Sequence, residues 1–171
     1  MFEKIIWSTD GSELADTALP AVEELARKFG SKIVAVHAAQ EFRGGRSAGV
    51  PMLADEDELL LKIRRQVDAL ELHGFNVQLI ARRSDHDSAH VIAALADETH
   101  ADLIVLATHG RGAVGTALFG SVAKELLHLA PCAVLAVPQP VGAAAVADVA
   151  YAIQSEHHKQ SQDVASRTNP S

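Results

Sequence analysis

Apolar residues recur along this chain in two alternating patterns, namely short runs and longer stripes with helical spacing. Short apolar runs predict strands, whereas apolar residues three or four positions apart predict amphipathic helices. Strands are therefore expected at residues 3–9, 33–38, 76–82, 102–108 and 133–137. Helices are expected at residues 12–29, 54–73, 87–99 and 120–129.

Turn and capping residues mark several of these boundaries. Ser12 has the side chain of an N-cap residue for the first helix. Gly30 and Gly74 stand where a helix commonly ends in a left-handed residue. Residues 40–53 contain three glycines and a proline and are predicted to form a loop.

The regular alternation of strands and helices defines the fold class. Such an order implies parallel strand pairing with right-handed crossovers, and hence an open α/β sheet with helices on both faces. Residues 102–108 are apolar enough for a strand buried on both faces. In the strand at 76–82, Val77, Leu79 and Ala81 are predicted to share one face.

The sequence changes character after Pro138, so we expect one domain at residues 1–138 and an extension at 139–171. Residues 141–154 carry an apolar stripe that predicts a short helix. Residues 155–171 are polar without a core pattern and are expected to be mobile.

Composition and charge exclude several classes of protein. The 171 residues are 48% hydrophobic and 22% charged, with a formal net charge of −7. This acidity argues against nucleic-acid binding, which needs clustered basic charge. The single Cys132 excludes a disulfide framework and fits a reducing compartment. Because the N-terminus also lacks a secretory pattern, we expect a cytoplasmic protein.

Residues 126–147 contain no Asp, Glu, Lys or Arg and are long enough to cross a bilayer. Pro131, Pro138 and Pro140 interrupt this stretch. Prolines within it favour a helix end, a turn and a buried strand over a membrane helix. We therefore expect no membrane association.

The loop after the fourth strand is rich in glycine. Gly110, Gly112 and Gly115 fit the dinucleotide fingerprint, but that motif belongs after a first strand and needs a later acidic residue. The P-loop pattern fails because no Lys precedes Ser121. A third spacing remains, in which Gly110 and Gly120 flank nine residues before a helix start that could hold phosphates. Alternatively, these glycines only form a tight connection.

On these residues the chain resembles the universal stress protein family, of the ATP-binding subtype, over residues 1–138. The family signature is G-x2-G-x9-G-[S/T], and this chain has Ala107, Gly110, nine residues, then Gly120 and Ser121. IIWSTDGS, LFGSVAKELL and PCAVLAVP are also similar to the family's usual segments. The resemblance implies that the strands of the sheet lie in the order 3-2-1-4-5. It also implies that the protein binds ATP and Mg²⁺.

The resemblance also implies roles for individual residues. Phosphate contacts are implied for Gly110, Gly120, Ser121 and Val122, adenosine and metal contacts for Thr9 and Asp10, and an adenine contact for Ala38. His109 lies in the same loop and either contacts a phosphate or is exposed to solvent, and Arg111 is a candidate arginine finger at the nucleotide site. Ala107 departs from the signature glycine, and its methyl group is either harmless or an obstacle to the phosphates.

Histidines offer a further hypothesis. His86 and His90 are spaced for one face of a helix, where both could bind a metal with help from Asp85 or Asp87. We favour a polar helix N-terminus instead, because the sequence shows no distant third ligand. His37, at the end of a buried strand, is expected to be a hydrogen-bonded structural residue.

The sequence shows few features of a catalytic site. It has no G-x-S-x-G nucleophile elbow. Mg²⁺ on Asp10 could polarise phosphates, but no paired general base is evident, so any ATP hydrolysis is expected to be slow and incidental. The favoured function is a nucleotide-binding regulatory protein, and the alternative is a dimeric interaction module without nucleotide. The resemblance implies a homodimer through the last strand, near Ala133–Val137.

Overall fold

The computed structural model describes residues 1–40, 52–108 and 120–138. Its elements are β1 (Lys4–Ser8), α1 (Glu13–Asp16), α2 (Leu19–Phe29), β2 (Lys32–Gln40), α3 (Met52–Leu72), β3 (Val77–Ser84), α4 (Ser88–Thr99), β4 (Leu103–Ala107), α5 (Ser121–Leu129) and β5 (Ala133–Val137). Each strand and helix predicted within this part of the chain has a counterpart, but the helix predicted at residues 12–29 is divided in two. The last strand has the bounds expected from the sequence.

The five strands form one parallel sheet in the order β3-β2-β1-β4-β5. Ile6 of β1 lies opposite Val34 of β2 and Ile104 of β4. The chain therefore reverses its direction of strand addition between β1 and β4, which is the topological switch point of such a sheet. The fold class and the strand order are both confirmed.

The central strands are buried on both sides because apolar side chains pack against both faces of the sheet. One cluster includes Ile6 and Val36 with residues of α4 and α5. The other includes Ile5 and Trp7 with residues of α2 and α3. Trp7 is fully buried, and its Nε1 has no hydrogen-bond partner.

The helix predicted at residues 12–29 is in fact two helices. Ser12 caps α1 as expected, and Gly30 ends α2 with a φ of 68°. The single long helix is wrong because Pro20 has no N–H to donate to the carbonyl of Asp16. At the junction, the N–H of Thr17 bonds to a carbonyl only three residues earlier.

The alternation predicted for β3 is only partly present. Val77 and Leu79 pack against the cluster that contains Trp7, whereas Ile80 packs against the opposite cluster and Ala81 is exposed. The prediction placed Ile80 on a polar face and was wrong there, because helices cover both faces of this outer strand.

The chain divides into two units between residues 139 and 140, and the first unit runs from Met1 to Gln139. The predicted extension at 139–171, with its helix at 141–154, lies outside the described residues. The predicted loop at 40–53 is likewise outside them except at its ends, because β2 reaches Gln40 and α3 begins at Met52.

Among the residues that the structure describes, no helix is long and apolar enough to cross a membrane.

Candidate functional site

A cavity of about 200 Å³ opens at the carboxyl ends of the strands on either side of the switch point. Its lining in the described part of the chain comes from the ends of β1, β2 and β4, from α1, and from the first turns of α4 and α5. These residues are Ser8, Thr9, Asp10, Ala15, Ala38, Ser88, Ile92, Leu106, Ala107, Thr108, Gly120, Ser121, Val122 and Ala123. Open α/β sheets bind their ligands at this position.

The turn between β1 and α1 presents Thr9 and Asp10 to the cavity. The N–H of Thr9 donates to Val36 at 3.0 Å, and its hydroxyl oxygen accepts from the N–H of Gly11 at 3.1 Å. Asp10 Oδ1 accepts from the N–H of Ser12 at 3.0 Å and from the Ser12 hydroxyl at 2.6 Å. These bonds fix the Asp10 carboxylate at the cavity.

The opposite wall is the junction of β4 with α5. The carbonyl of Thr108 accepts from the N–H of Gly120 at 2.7 Å, which joins the end of β4 to the start of α5. Gly120 is the N-cap of α5. The first N–H groups of a helix have no partner within the helix, and glycine has no side chain that could accept from them. The start of α5 is therefore suited to an anion.

Two other helix starts in the fold differ from that of α5. Ser12 accepts from the N–H of Ala15 at α1, and Asp87 accepts from the N–H of His90 at α4. Both helices therefore receive the side-chain oxygen that Gly120 cannot supply to α5.

The third wall is mainly apolar. Ala38, Ile92, Leu106 and Val122 line it and belong to, or pack against, the cluster beneath α4 and α5. The Ser88 hydroxyl donates to the carbonyl of Ala38 at 3.0 Å and joins the end of β2 to the start of α4. This wall offers an apolar surface beside the polar turn.

Ala107, where the family signature has glycine, lies in regular strand backbone. It pairs with Val137 of β5 and is 7% exposed. Among the described residues, His100 is the only non-glycine residue with positive φ, so the backbone at Ala107 does not require glycine. The Ala107 methyl group belongs to the cluster that contains Trp7. The geometry thus favours the harmless alternative for this methyl group.

The structure brings most of the predicted site residues to one cavity. They are Thr9, Asp10, Ala38, Ala107, Gly120, Ser121 and Val122. His109, Gly110 and Arg111 lie outside the described residues.

Sequence reasoning did not identify Ser88 or Ile92 as lining residues. Ser8 and Thr108 also line the cavity and adjoin the candidates Thr9 and Ala107, in the two strand-end segments that the sequence singles out. Each carries a recognisable signal, because it is a polar residue at the carboxyl end of a buried strand. Ser88 and Ile92 carry no such signal, since only the packing of α4 on the sheet brings them to the cavity.

His90 lies near a different set of groups from the one that its spacing suggested. Its Nδ1 is 2.5 Å from Asp87 Oδ2 and 3.8 Å from Glu125 Oε1, and the three ligand atoms lie within 4.8 Å of one another. His86 is not part of this group. The third group comes from α5, which the sequence could not show. Because Asp87 is the N-cap of α4, its bonds to His90 agree with the favoured interpretation of a polar helix N-terminus.

The electrostatics at this N-terminus are also visible in the Asp87 carboxyl. Burial raises its pKa, but hydrogen bonds from the backbone and ring of His90, together with the charge on that ring, outweigh burial. The net result is a pKa below the ordinary value of 3.8.

A five-stranded parallel sheet of this order, with a cavity and a helix N-terminus at its switch point, defines the class of open α/β proteins that bind ligands at that position. The sequence model of the universal stress protein family matches residues 1–138, and the chain belongs to that family.

Individual relatives agree with this assignment. A universal stress protein of Thermus aquaticus is 30% identical over 141 residues, which cover 80% of this chain and 99% of the relative. A universal stress protein solved in complex with cAMP has 22% identity and a TM-score of 0.61, with 80% of this chain and 97% of that chain covered. The universal stress protein from Archaeoglobus fulgidus in complex with dAMP has 22% identity and a TM-score of 0.57, with 81% and 97% covered. Both solved structures share the fold of this chain.

Proposed function

We propose that this protein binds an adenine nucleotide, ATP with Mg²⁺, at the cavity between β1 and β4. Occupancy of the cavity would then regulate a partner interaction in a stress response. The observation that carries the proposal is the start of α5, which faces the cavity and has glycine in place of a capping side chain.

The phosphates would bind at Gly120, Ser121 and Val122. A helix N-terminus carries a partial positive charge, and its free N–H groups point along the axis toward an anion. The Ser121 hydroxyl lies at the same wall and can donate one more hydrogen bond. This mode of binding needs no basic patch, so it is compatible with the net charge of −7.

The base would lie against the apolar wall formed by Ala38, Ile92 and Leu106. A cavity of about 150 Å³ already admits a benzene ring, so about 200 Å³ admits a flat heterocycle. The family members solved with cAMP and dAMP support an adenine nucleotide as the ligand class.

Asp10 is the residue that would hold Mg²⁺. Magnesium prefers oxygen ligands and is commonly held by one or two carboxylates together with substrate phosphates. The Asp10 carboxylate fits this role because it lines the cavity and is already oriented by Ser12. When bound, the ion would neutralise phosphate charge.

The proposed function is binding and not turnover. Among the described residues that line the cavity, Asp10 is the only one with an ionisable side chain. A water that attacks a phosphate needs a base to orient it, and Asp10 would be occupied by the metal. We expect phosphate release from ATP to stay close to the rate in buffer, as measured by a coupled phosphate assay.

Substitution of Gly120 tests the phosphate site without straining the backbone. Gly120 has φ −66° and ψ 163°, which any residue adopts and which an N-cap residue prefers. Gly120→Asn adds a cap that occupies the N–H groups, and Gly120→Asp adds both the cap and a negative charge. Both variants should unfold at slightly higher urea concentration than wild type, by a few tenths of a kcal/mol for the cap.

Calorimetric titration with ATP and Mg²⁺ should show the opposite order for binding. Wild type should bind most tightly, the Asn variant more weakly, and the Asp variant at least tenfold more weakly still. No binding by wild type below millimolar ATP would reject the proposal. Equal affinity in all three proteins would reject the start of α5 as the phosphate site.

The dimeric interaction module is the second candidate, and the outer position of β5 favours it. Within the described residues β5 pairs only with β4, and Leu135 is 38% exposed on it. An exposed apolar edge strand needs covering, which a second copy of the chain would provide. Leu135→Asp should convert a dimer to a monomer in light scattering, whereas Leu72→Asp, on the exposed end of α3, should not. A wild-type monomer at micromolar concentration would reject this candidate.

A further inference from the structure

One face of α3 contacts the turn that carries Thr9 and Asp10. Lys62 Nζ donates to the carbonyl of Gly11 at 2.8 Å and to Asp16 Oδ2 at 2.6 Å. Leu59 lies directly beneath Gly11, where an added methyl group would meet its Cδ2 at 3.0 Å and its Cβ at 3.2 Å. These contacts from α3 support one side of the turn, and the other side of the turn faces the cavity.

A buried histidine adds a polar contact to the same support. His37 is 2% exposed, its Nδ1 lies 3.0 Å from the carbonyl oxygen of Thr9, and its Nε2 lies 2.5 Å from Glu56 Oε1 of α3. A carbonyl oxygen can only accept, so Nδ1 carries a hydrogen. The contact with Glu56 needs a second hydrogen, on either Nε2 or the carboxyl. His37 therefore links the carbonyl of Thr9 to the Glu56 carboxyl through two hydrogen bonds.

We propose that α3 positions the nucleotide site, with His37, Glu56 and Lys62 as positioning residues, and that nucleotide occupancy in turn strengthens the docking of α3. This inference rests on the proposed function. The Thr9–Asp10 peptide is the shared element, because its carbonyl belongs to the support and the next side chain lines the cavity. If docking of α3 improves nucleotide affinity, then the nucleotide must improve docking by the same factor.

This coupling would link nucleotide binding on one face of the sheet to the docking of α3 on the other face. Nucleotide would bind on the side of α4 and α5, whereas α3 lies on the opposite side with α2. The outer surface of α3 carries Leu61, which is 55% exposed. A change in the docking of α3 would therefore be visible to a partner that does not touch the nucleotide.

Three substitutions on α3 separate a positioning role from a purely structural one. Glu56→Ala removes the partner of His37, and Glu56→Gln restores a hydrogen-bonding side chain of the same shape. Glu58→Ala, an exposed position two residues later, controls for the loss of a glutamate from α3. Each is titrated with ATP and Mg²⁺ by calorimetry, and urea unfolding is measured in parallel.

We expect Glu56→Ala to weaken nucleotide binding about tenfold, within the usual range of coupling between sites. Glu56→Gln should recover most of the affinity, and Glu58→Ala should bind as wild type does. Lys62→Gln provides a second arm if Glu56→Ala does not fold, with Arg65→Gln as its control, since Arg65 is exposed on the same helix.

Hydrogen exchange of residues 56–66 measures an ATP-dependent change that would not depend on Glu56 if this residue only stabilised the fold. Saturating ATP should slow exchange there in wild type and in Glu58→Ala, but much less in Glu56→Ala. If the variants lose stability while nucleotide affinity and ATP-dependent protection stay at wild-type levels, the inference is wrong and the proposed function stands. If wild type binds no adenine nucleotide, the proposed function fails and the inference fails with it.

Discussion

Gly11→Ala is the substitution for which the structure makes the sharpest stability prediction. Gly11 has φ +75°, a left-handed backbone that costs an L-residue roughly 1–2 kcal/mol. Alanine recovers about 0.4–1 kcal/mol by restricting the unfolded chain. The net backbone penalty is therefore about 1 kcal/mol.

The added methyl group at Gly11 also meets Leu59. The Cδ2 of Leu59 can rotate away, but its Cβ at 3.2 Å moves only with α3. Overpacking of this kind costs about 1–3 kcal/mol. Gly11→Ala should therefore lower the free energy of unfolding by about 2–4 kcal/mol in total.

Gly30→Ala is the matched control, because Gly30 has φ +68° and nothing within 4 Å of an added Cβ. It should cost only the backbone penalty of about 1 kcal/mol. Urea unfolding at 25 °C, followed by circular dichroism, measures both variants. The double mutant Gly11→Ala/Leu59→Gly, which removes the Leu59 Cβ, should show a favourable coupling energy of about 1 kcal/mol or more. If Gly11→Ala costs no more than Gly30→Ala, α3 does not press on the turn as described.

Further predictions concern groups away from the cavity. Because the folded-state pKa of Asp87 is lowered, its charge stabilises the fold above the ordinary value of 3.8, and this stability is lost as pH falls through the folded pKa. Asp87→Asn still caps α4 but lacks this charge, so it should unfold at a lower urea concentration than wild type at pH 7. The urea midpoints of the two proteins should converge below pH 3.8, and a difference that stays constant with pH would contradict this. Burial and the charge of Asp102 raise the pKa of the Cys132 thiol, so iodoacetamide should react slowly at pH 8, and faster in Asp102→Asn. Asp102→Ala should destabilise the fold by about 1–3 kcal/mol, because Asp102 Oδ2 accepts the N–H groups of residues 3 and 4 at 2.8 and 2.9 Å; no change in the urea midpoint would show that water replaces it.

The fold could be predicted from the sequence because its signals are local. The buried run of β4 and the stop at Gly30 each depend on a few neighbouring residues. The break between α1 and α2 was missed although Pro20 marks it, because the apolar stripe continues on both sides of the proline. The apolar stripe indicates which face of the two helices is buried, whereas Pro20 determines which backbone hydrogen bonds can form.

The candidate site was only partly predictable for a different physical reason. Thr9, Asp10 and Gly120 stand at strand ends or a helix start, where sequence and family resemblance both point to them. Ser88 and Glu125 become neighbours of other groups only through the packing of α4 and α5. No spacing along the chain encodes that contact.

The backbone conformation of Gly120 has a consequence for how sequences of this fold drift. At Gly30 the left-handed backbone makes almost any replacement harmful to folding, so selection for a stable protein alone would keep that glycine. At Gly120 the backbone suits every residue, and a capping residue there would even strengthen the helix. If the protein binds nucleotide as proposed, a lineage released from that need could lose Gly120 in one step without backbone strain. Retention of this glycine would then reflect ligand binding rather than the folding of the chain.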